Sequence, residues 1–123
     1  MIQHGGAVME QQAVYERLVK AARAGEFVYY GELAKMLGID MENPHFGAQV
    51  GKVLDRINED EAAAGRPMIS AIVVSKDTML PGTGFFKLGQ ELRQTLPGED
   101  EIGFALRHIK RVQDYWGRAA EPS

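Results

Sequence analysis

Between Pro67 and Ser75 the chain carries Met68-Ile69-Ser70-Ala71-Ile72-Val73-Val74, a segment in which both alternating sets of positions are apolar or small. A strand with one face in water would alternate, so this segment has to be covered on two sides by the rest of the chain. The β-branched Ile69, Ile72, Val73 and Val74 favour extended backbone, and Pro67 can open a strand without removing an interior ladder bond. The chain has 123 residues, 45% of them apolar, enough for one such core and too few for a second full domain.

The covers are helices. Val14, Leu18, Ala21 and Ala22 form an apolar stripe opposite Arg17, Lys20 and Arg23, and Gly25 stands where a left-handed residue would end the helix. Phe27–Tyr30 suits a short strand, and Gly31–Leu37, stopping at Gly38, makes about two helical turns with Leu33, Met36 and Leu37 on one side. Asn43 as N-cap and Pro44 at the first helical position start a helix to about Glu59. Its stripe of Phe46, Val50, Val53, Leu54 and Ile57 leaves Gln49, Lys52, Arg56 and Glu59 facing outward.

After the Met68–Val74 strand, Lys76-Asp77-Thr78 and Pro81-Gly82 read as turns, with Gly84–Phe86 returning as a second strand of a β-hairpin. Leu88–Leu96 reads as a helix stopped by Pro97-Gly98. A last helix, capped by Glu99 or Asp100, places Ile102, Ala105, Leu106, Ile109, Val112 and Trp116 on one face and Arg107, Lys110, Arg111 and Arg118 on the other. The two C-terminal helices would cover the second face of the strand. The order is that of an α+β winged helix-turn-helix, in which a capped recognition helix enters the major groove and a hairpin tip meets phosphate. The expected division is a flexible terminus over 1–9, a winged-helix core over 10–96, a covering helix over 97–118 and a flexible tail over 119–123.

Val28-Tyr29-Tyr30-Gly31-Glu32-Leu33-Ala34-Lys35-Met36-Leu37-Gly38 resembles the V-T-Y-G-x-L-A-x-x-L-G stretch of the alkylguanine-DNA alkyltransferase C-terminal domain and of the inactive alkyltransferase-like proteins. Val14–Val19 resembles the preceding helix. Ala48–Leu54 is similar to the A-R-A-V-G-x-A-L recognition helix, and Arg66-Pro67 with Ile72-Val73-Val74 to the I-P-C-H-R-V-V strand, so the likeness covers roughly residues 13 to 96. It implies a winged-helix fold and contact with double-stranded DNA, and matches Tyr30 to the family tyrosine that presses on the target phosphate.

Three departures bear on chemistry. The family's alkyl acceptor is a cysteine thiolate, and this chain has no cysteine; aligning at Pro67 puts Met68 there, and aligning at Val73-Val74 puts Ser70. Neither register supplies the following His or Arg. Ala48 stands where the family inserts an arginine into the base stack. Alkyl transfer by that route is excluded, and the resemblance implies non-enzymatic DNA binding.

Electrostatics argue against bulk attraction to a polyanion, because 17 acidic side chains outnumber 14 basic ones. On the recognition helix Lys52 and Arg56 face Asp55, Glu59, Asp60 and Glu61. DNA contact would therefore be local: Gln49, Lys52 and Arg56 at the groove, Lys76 on backbone phosphate, Tyr30 as the resemblance assigns it, and Arg107, Lys110 and Arg111 as a further basic patch. The alternative is a protein-interaction or structural module, with a second copy or another protein as partner.

His4, His45 and His108 lack metal-site spacing, so no metal or cofactor is expected. Pro81-Gly82-Thr83-Gly84 lacks the Gly-Lys-Ser/Thr of a phosphate loop and is read as a tight turn. An enzyme built on Ser70 would need His45 or His108 within hydrogen-bond reach of it. No apolar run is long enough to span a bilayer and the first ten residues lack an export signal, which makes the cytoplasm the expected location.

Overall fold

The computed structural model describes the backbone of residues 3–120 and the side chains of residues 10–117. It is mostly helical: α1 is Gln3–Ala24, α2 Tyr30–Met36, α3 Phe46–Ala63, α4 Thr83–Glu91 and α5 Glu101–Ala120. The sheet has two strands, β1 (Val28–Tyr29) and β2 (Val73–Val74), which pair in parallel with Val28 opposite Val73 and Tyr29 opposite Val74. The architecture is α+β. Helix α1 begins within the stretch expected as a flexible terminus, and α5 reaches into the expected tail, of which residues 121–123 lie outside the described ones.

The segment expected to need two covers has them. Met68, Ile69, Ala71, Ile72 and Val73 are wholly buried, and α1, α3 and α5 all pack against the segment. Its backbone differs from a continuous strand. Residues Ile69–Ile72 form a 3-10 turn, and only Val73 and Val74 extend. A turn exposes side chains all round its axis, which accounts for the lack of alternation as well as a doubly covered strand does.

No hairpin forms. Gly84–Phe86 lies in the first turn of α4, and the partner of β2 is β1, far back in the chain. Gly82 occupies the N-cap position in extended conformation, and Phe85, Leu88 and Leu92 then follow helical spacing toward α5. Phe85 and Leu88 are buried and Leu92 is partly so. That periodicity outweighs the turn signal of Pro81-Gly82.

Helix ends follow one rule with one exception. Gly25 takes positive φ one residue past α1, and Gly38 and Gly65 two residues past α2 and α3, and the next amide returns to a carbonyl five residues back: Glu26 to Ala21, Ile39 to Ala34, Arg66 to Glu61. At α4 the same motif is closed by Arg93, at φ +57°, with Gln94 N–H donating to Gly89 O at 2.8 Å. The start of α3 also differs from expectation. Asn43 Oδ1 accepts the His45 amide at 2.8 Å in a tight loop turn, and His45 rather than Asn43 occupies the cap position.

Most stripe residues are where their spacing puts them. Val14, Leu18, Ala21, Ala22, Val50, Leu54 and Ile57 are buried, and Phe46 and Val53 pack against the core. Met36, expected inside with Leu33, is 40% exposed. On α5 the buried face is Phe104, Ala105, His108, Ile109, Val112 and Trp116, whereas Ile102 and Leu106 are exposed. The helix is rotated from the expected face because Phe104 and His108 pack on Phe85, at ring distances of 5.3 and 5.8 Å.

Candidate functional site

Helices α2 and α3 pack together, and α3 is further held by α1, α4 and the 3-10 turn. The remaining face of α3 presents Gln49, Lys52 and Arg56 to solvent. Beside it lies a cleft of about 750 Å³, walled by the first half of α3, the β1–α2 junction, the end of β2, and the loop and first turn of α4. Helix α5 contributes no residue to this cleft.

Tyr30 lines it. Its phenol oxygen accepts the Gly82 amide at 3.0 Å, fastening the β1–α2 junction to the loop before α4 and leaving its own proton free to donate. Burial raises the phenol's pKa, and the Asp55 carboxylate adds to the rise. Asp55 is itself raised above the usual carboxylate range, first by burial and then by Glu59 and Glu91.

Two lysines flank the opening. Lys52 comes from α3 and Lys76 from the loop after β2, where its ammonium sits 5.3 Å from the Tyr29 ring centre. The loop is shaped by Met79 at φ +56° and by Thr78, whose hydroxyl accepts the Leu80 amide at 3.2 Å. Tyr29 Oη lies 3.9 Å from Met79 Sδ.

Of the two positions that the resemblance leaves open, Ser70 lines the cleft and Met68 is sealed in the core. Ser70 Oγ accepts Asn58 Nδ2 at 2.6 Å, and its amide donates to Asn58 Oδ1 at 3.2 Å. This reciprocal pair ties α3 to the 3-10 turn. The hydroxyl is thus committed to an amide, with no hydrogen bond to a histidine among the described residues: His108 is buried with both ring nitrogens unpartnered, and His45 is exposed.

Tyr30, Lys52 and Lys76 are therefore brought together at one opening, with Gln49 and Arg56 along the adjoining helix face. Arg107, Lys110 and Arg111 are not among the cleft's residues. Arg107 is half-buried, bonding Glu99 through Nε at 2.7 Å and the Gln94 carbonyl through Nη2 at 2.7 Å. Lys110 pairs with Asp114 at 3.1 Å, and Arg111 leans toward the Gln94 amide oxygen at 3.4 Å. This patch is mostly balanced by its own neighbours; the Arg118 side chain lies outside the described residues.

One component was missed at the sequence level. Gly82-Thr83-Gly84 does open a helix directly, so the start of α4 lines the cleft; the Gly82 amide is taken by Tyr30 and the Phe85 amide by the Gly82 carbonyl, which leaves those of Thr83 and Gly84 without an intrahelical acceptor. The helical spacing of Phe85, Leu88 and Leu92 is the signal that would have found it. No group of three or more metal-ligating side chains gathers among the described residues, and none of the described helices is long and apolar enough to cross a membrane.

Compared with family models, with curated proteins and with solved structures, the chain gives no match.

Proposed function

We propose that the protein binds double-stranded DNA without chemical turnover, in the manner of a winged helix whose wing is the 75–82 loop. The observation that carries this reading is the placement of an exposed polar face, Gln49, Lys52 and Arg56, beside a cleft flanked by Lys52 and Lys76 and floored by the first turn of α4. Gln49 and Arg56 have the donor and acceptor groups to meet base edges, and Lys76 with the Thr83 and Gly84 amides suits a backbone phosphate. The cysteine-free Ser70 position, committed to Asn58, favours binding over alkyl transfer. Because the acidic residues of α3 oppose docking, affinity would rest on few phosphate contacts and fall steeply with salt. Fluorescence anisotropy with a labelled duplex at about 50 mM salt tests this, and no binding at tens of micromolar protein overturns it.

A second reading, a protein-interaction module, draws on a different surface. Ile102 and Leu106, one turn apart on α5, are 57% and 56% exposed beside a hollow formed with Leu80, Pro81 and Ala105. An apolar pair in that setting suits a second copy or another protein. Light scattering at twice the monomer mass, lost in Leu106→Glu, distinguishes this from DNA binding.

A further inference from the structure

The cleft beside α3 is larger than contact with a DNA backbone requires. At about 750 Å³ it lies in the range of small-molecule sites, roughly 300 to 1,000 Å³. Much of its wall is apolar: Leu54, Val74 and Phe85 are buried, and Phe46 and Tyr30 line it as well.

On the α3 side nothing fills it. Gly47 and Gly51 lie one turn apart on the lining of the cleft, and a carbon added at either meets nothing within 4 Å. A glycine inside a helix costs stability relative to alanine, and neither position needs it for close packing or for positive φ. The helix forgoes side chains here, and what it gains is open space.

The polar groups of the cleft are mostly donors with nothing to donate to. Tyr30 Oη accepts the Gly82 amide at 3.0 Å, which holds the phenol against the start of α4 and leaves its proton unspent. The Thr83 and Gly84 amides follow directly, without intrahelical acceptors. Ser70 lines the same cleft at 4% exposure; its oxygen is taken by Asn58 Nδ2, but its own proton has no acceptor among the described residues. A buried hydroxyl in that state marks a place where an acceptor is missing. Lys52 and Lys76 bring two positive charges to the lining and Asp55 one negative, so a single added negative charge balances it.

We propose that this cleft is a binding site for a small aromatic carboxylate, its carboxylate received by the Tyr30 hydroxyl and the Thr83 and Gly84 amides, with Ser70 as a further donor, and its ring laid in the space at Gly47 and Gly51 against Leu54 and Phe85. A carboxylate only accepts, which matches donors that lack acceptors; an ammonium only donates and has no such match here. It also carries the single charge that the two lysines and Asp55 leave over, whereas a phosphate monoester, with close to two charges at neutral pH, sets its excess against Asp55. The site rests on the cleft's own geometry and stands whether or not the protein binds DNA.

Titration of the full chain with 2-naphthoate, with no nucleic acid present, should saturate with a Kd of about 1 mM or tighter, read from the amide resonances of Thr83 and Gly84. Naphthalen-2-ylmethanol, which has no charge, and acetate, which has no ring, should each bind about tenfold more weakly or less, and 2-naphthyl phosphate more weakly than 2-naphthoate. Gly51→Leu sends a side chain into the open space and should weaken naphthoate by about tenfold or more without lowering the thermal midpoint, since leucine is the better helix former; Gly51→Ala, the smaller change, should weaken it by about threefold. Tyr30→Phe, which removes the hydroxyl, should cost about tenfold. The proposal is overturned if naphthoate gives no saturable change up to about 20 mM, if the uncharged alcohol or the phosphate binds as well, or if affinity is undiminished in both Gly51 variants. Absence of duplex binding in the anisotropy experiment overturns the DNA reading and leaves this one standing.

Discussion

A methyl group placed on Gly89 would lie 2.1 Å from Cζ of Phe104, and 2.8 Å from each Cε. The absence of a side chain at Gly89 is what lets the Phe104 ring, wholly buried, close the contact between α4 and α5. Gly89→Ala drives a carbon into a ring that also packs on Phe85, Phe86 and His108, and there is no flexible tip to yield. We expect a loss of about 2 to 3 kcal/mol in urea unfolding, despite the better helix propensity of alanine. Gly89→Ala combined with Phe104→Leu should lose less than the two single changes added together.

The Asn58–Ser70 pair makes a second expectation. Asn58 is 1% exposed and both halves of its amide are used by Ser70. Asn58→Leu strands the buried Ser70 amide and should cost about 2 to 3 kcal/mol, whereas Ser70→Ala keeps that amide bonded and should cost nearer 1. If Ser70→Ala proves as damaging as Asn58→Leu, the hydroxyl has a role beyond this bond.

What could be read ahead of the structure divides along the range of the interactions. Stripes such as Val14, Leu18, Ala21 and the stops at Gly25 and Gly38 are local, set by helical spacing and by the need for positive φ, and they are where they were expected. Tyr30, Lys52 and Lys76 are expected together as DNA contacts through the winged-helix layout, but the cleft they share depends on β1 pairing with β2, a contact no local pattern encodes. The hairpin failed for a related reason: Pro81-Gly82 is a turn signal in any context, and only the α5 surface waiting for Phe85 decides that a helix follows. Asn58 carries no signal at all until Ser70 arrives beside it.

Acid should reveal His108. It is fully buried against Phe104, at a ring distance of 4.2 Å, and burial, aided by Arg107 and Arg111, lowers its pKa from 6.5 to about 4 although the Gln94 backbone and then Glu99 pull the other way. The folded chain holds this ring neutral and the unfolded chain takes up a proton first. Stability is therefore unaffected above about pH 6.5, falls as pH drops from there to about 4, and loses on the order of 3 kcal/mol across that window. His108→Phe should flatten the profile in that range. Glu99 acts further down: Arg107 holds its carboxyl at about 2, so its contribution is lost as pH falls through the region between 4.5 and 2.

Arg93 offers an expectation of the opposite sign. It closes the C-terminus of α4 at φ +57°, where the corresponding residues of α1, α2 and α3 are glycines. Its side chain is exposed, while its backbone makes the same return bond from Gln94 to Gly89. Arg93→Gly removes the left-handed penalty on a residue with Cβ and should raise stability by about 0.5 to 1 kcal/mol, seen as a higher urea midpoint with unchanged slope.

The cationic side chains should separate by location when DNA is titrated. Lys52 and Lys76 flank the cleft without an acidic partner among the salt bridges of the described residues, whereas Arg107 and Lys110 are paired with Glu99 and Asp114. A phosphate contact releases roughly one counterion, so Lys76→Ala should weaken every duplex by a similar factor and lower the slope of log K against log salt by about 1. Gln49→Ala, if it meets a base edge, should instead change the ranking of duplexes and leave the slope alone. Lys110→Ala should alter neither quantity. Equal losses from Lys76→Ala and Lys110→Ala would place the binding surface on α5 instead of beside α3.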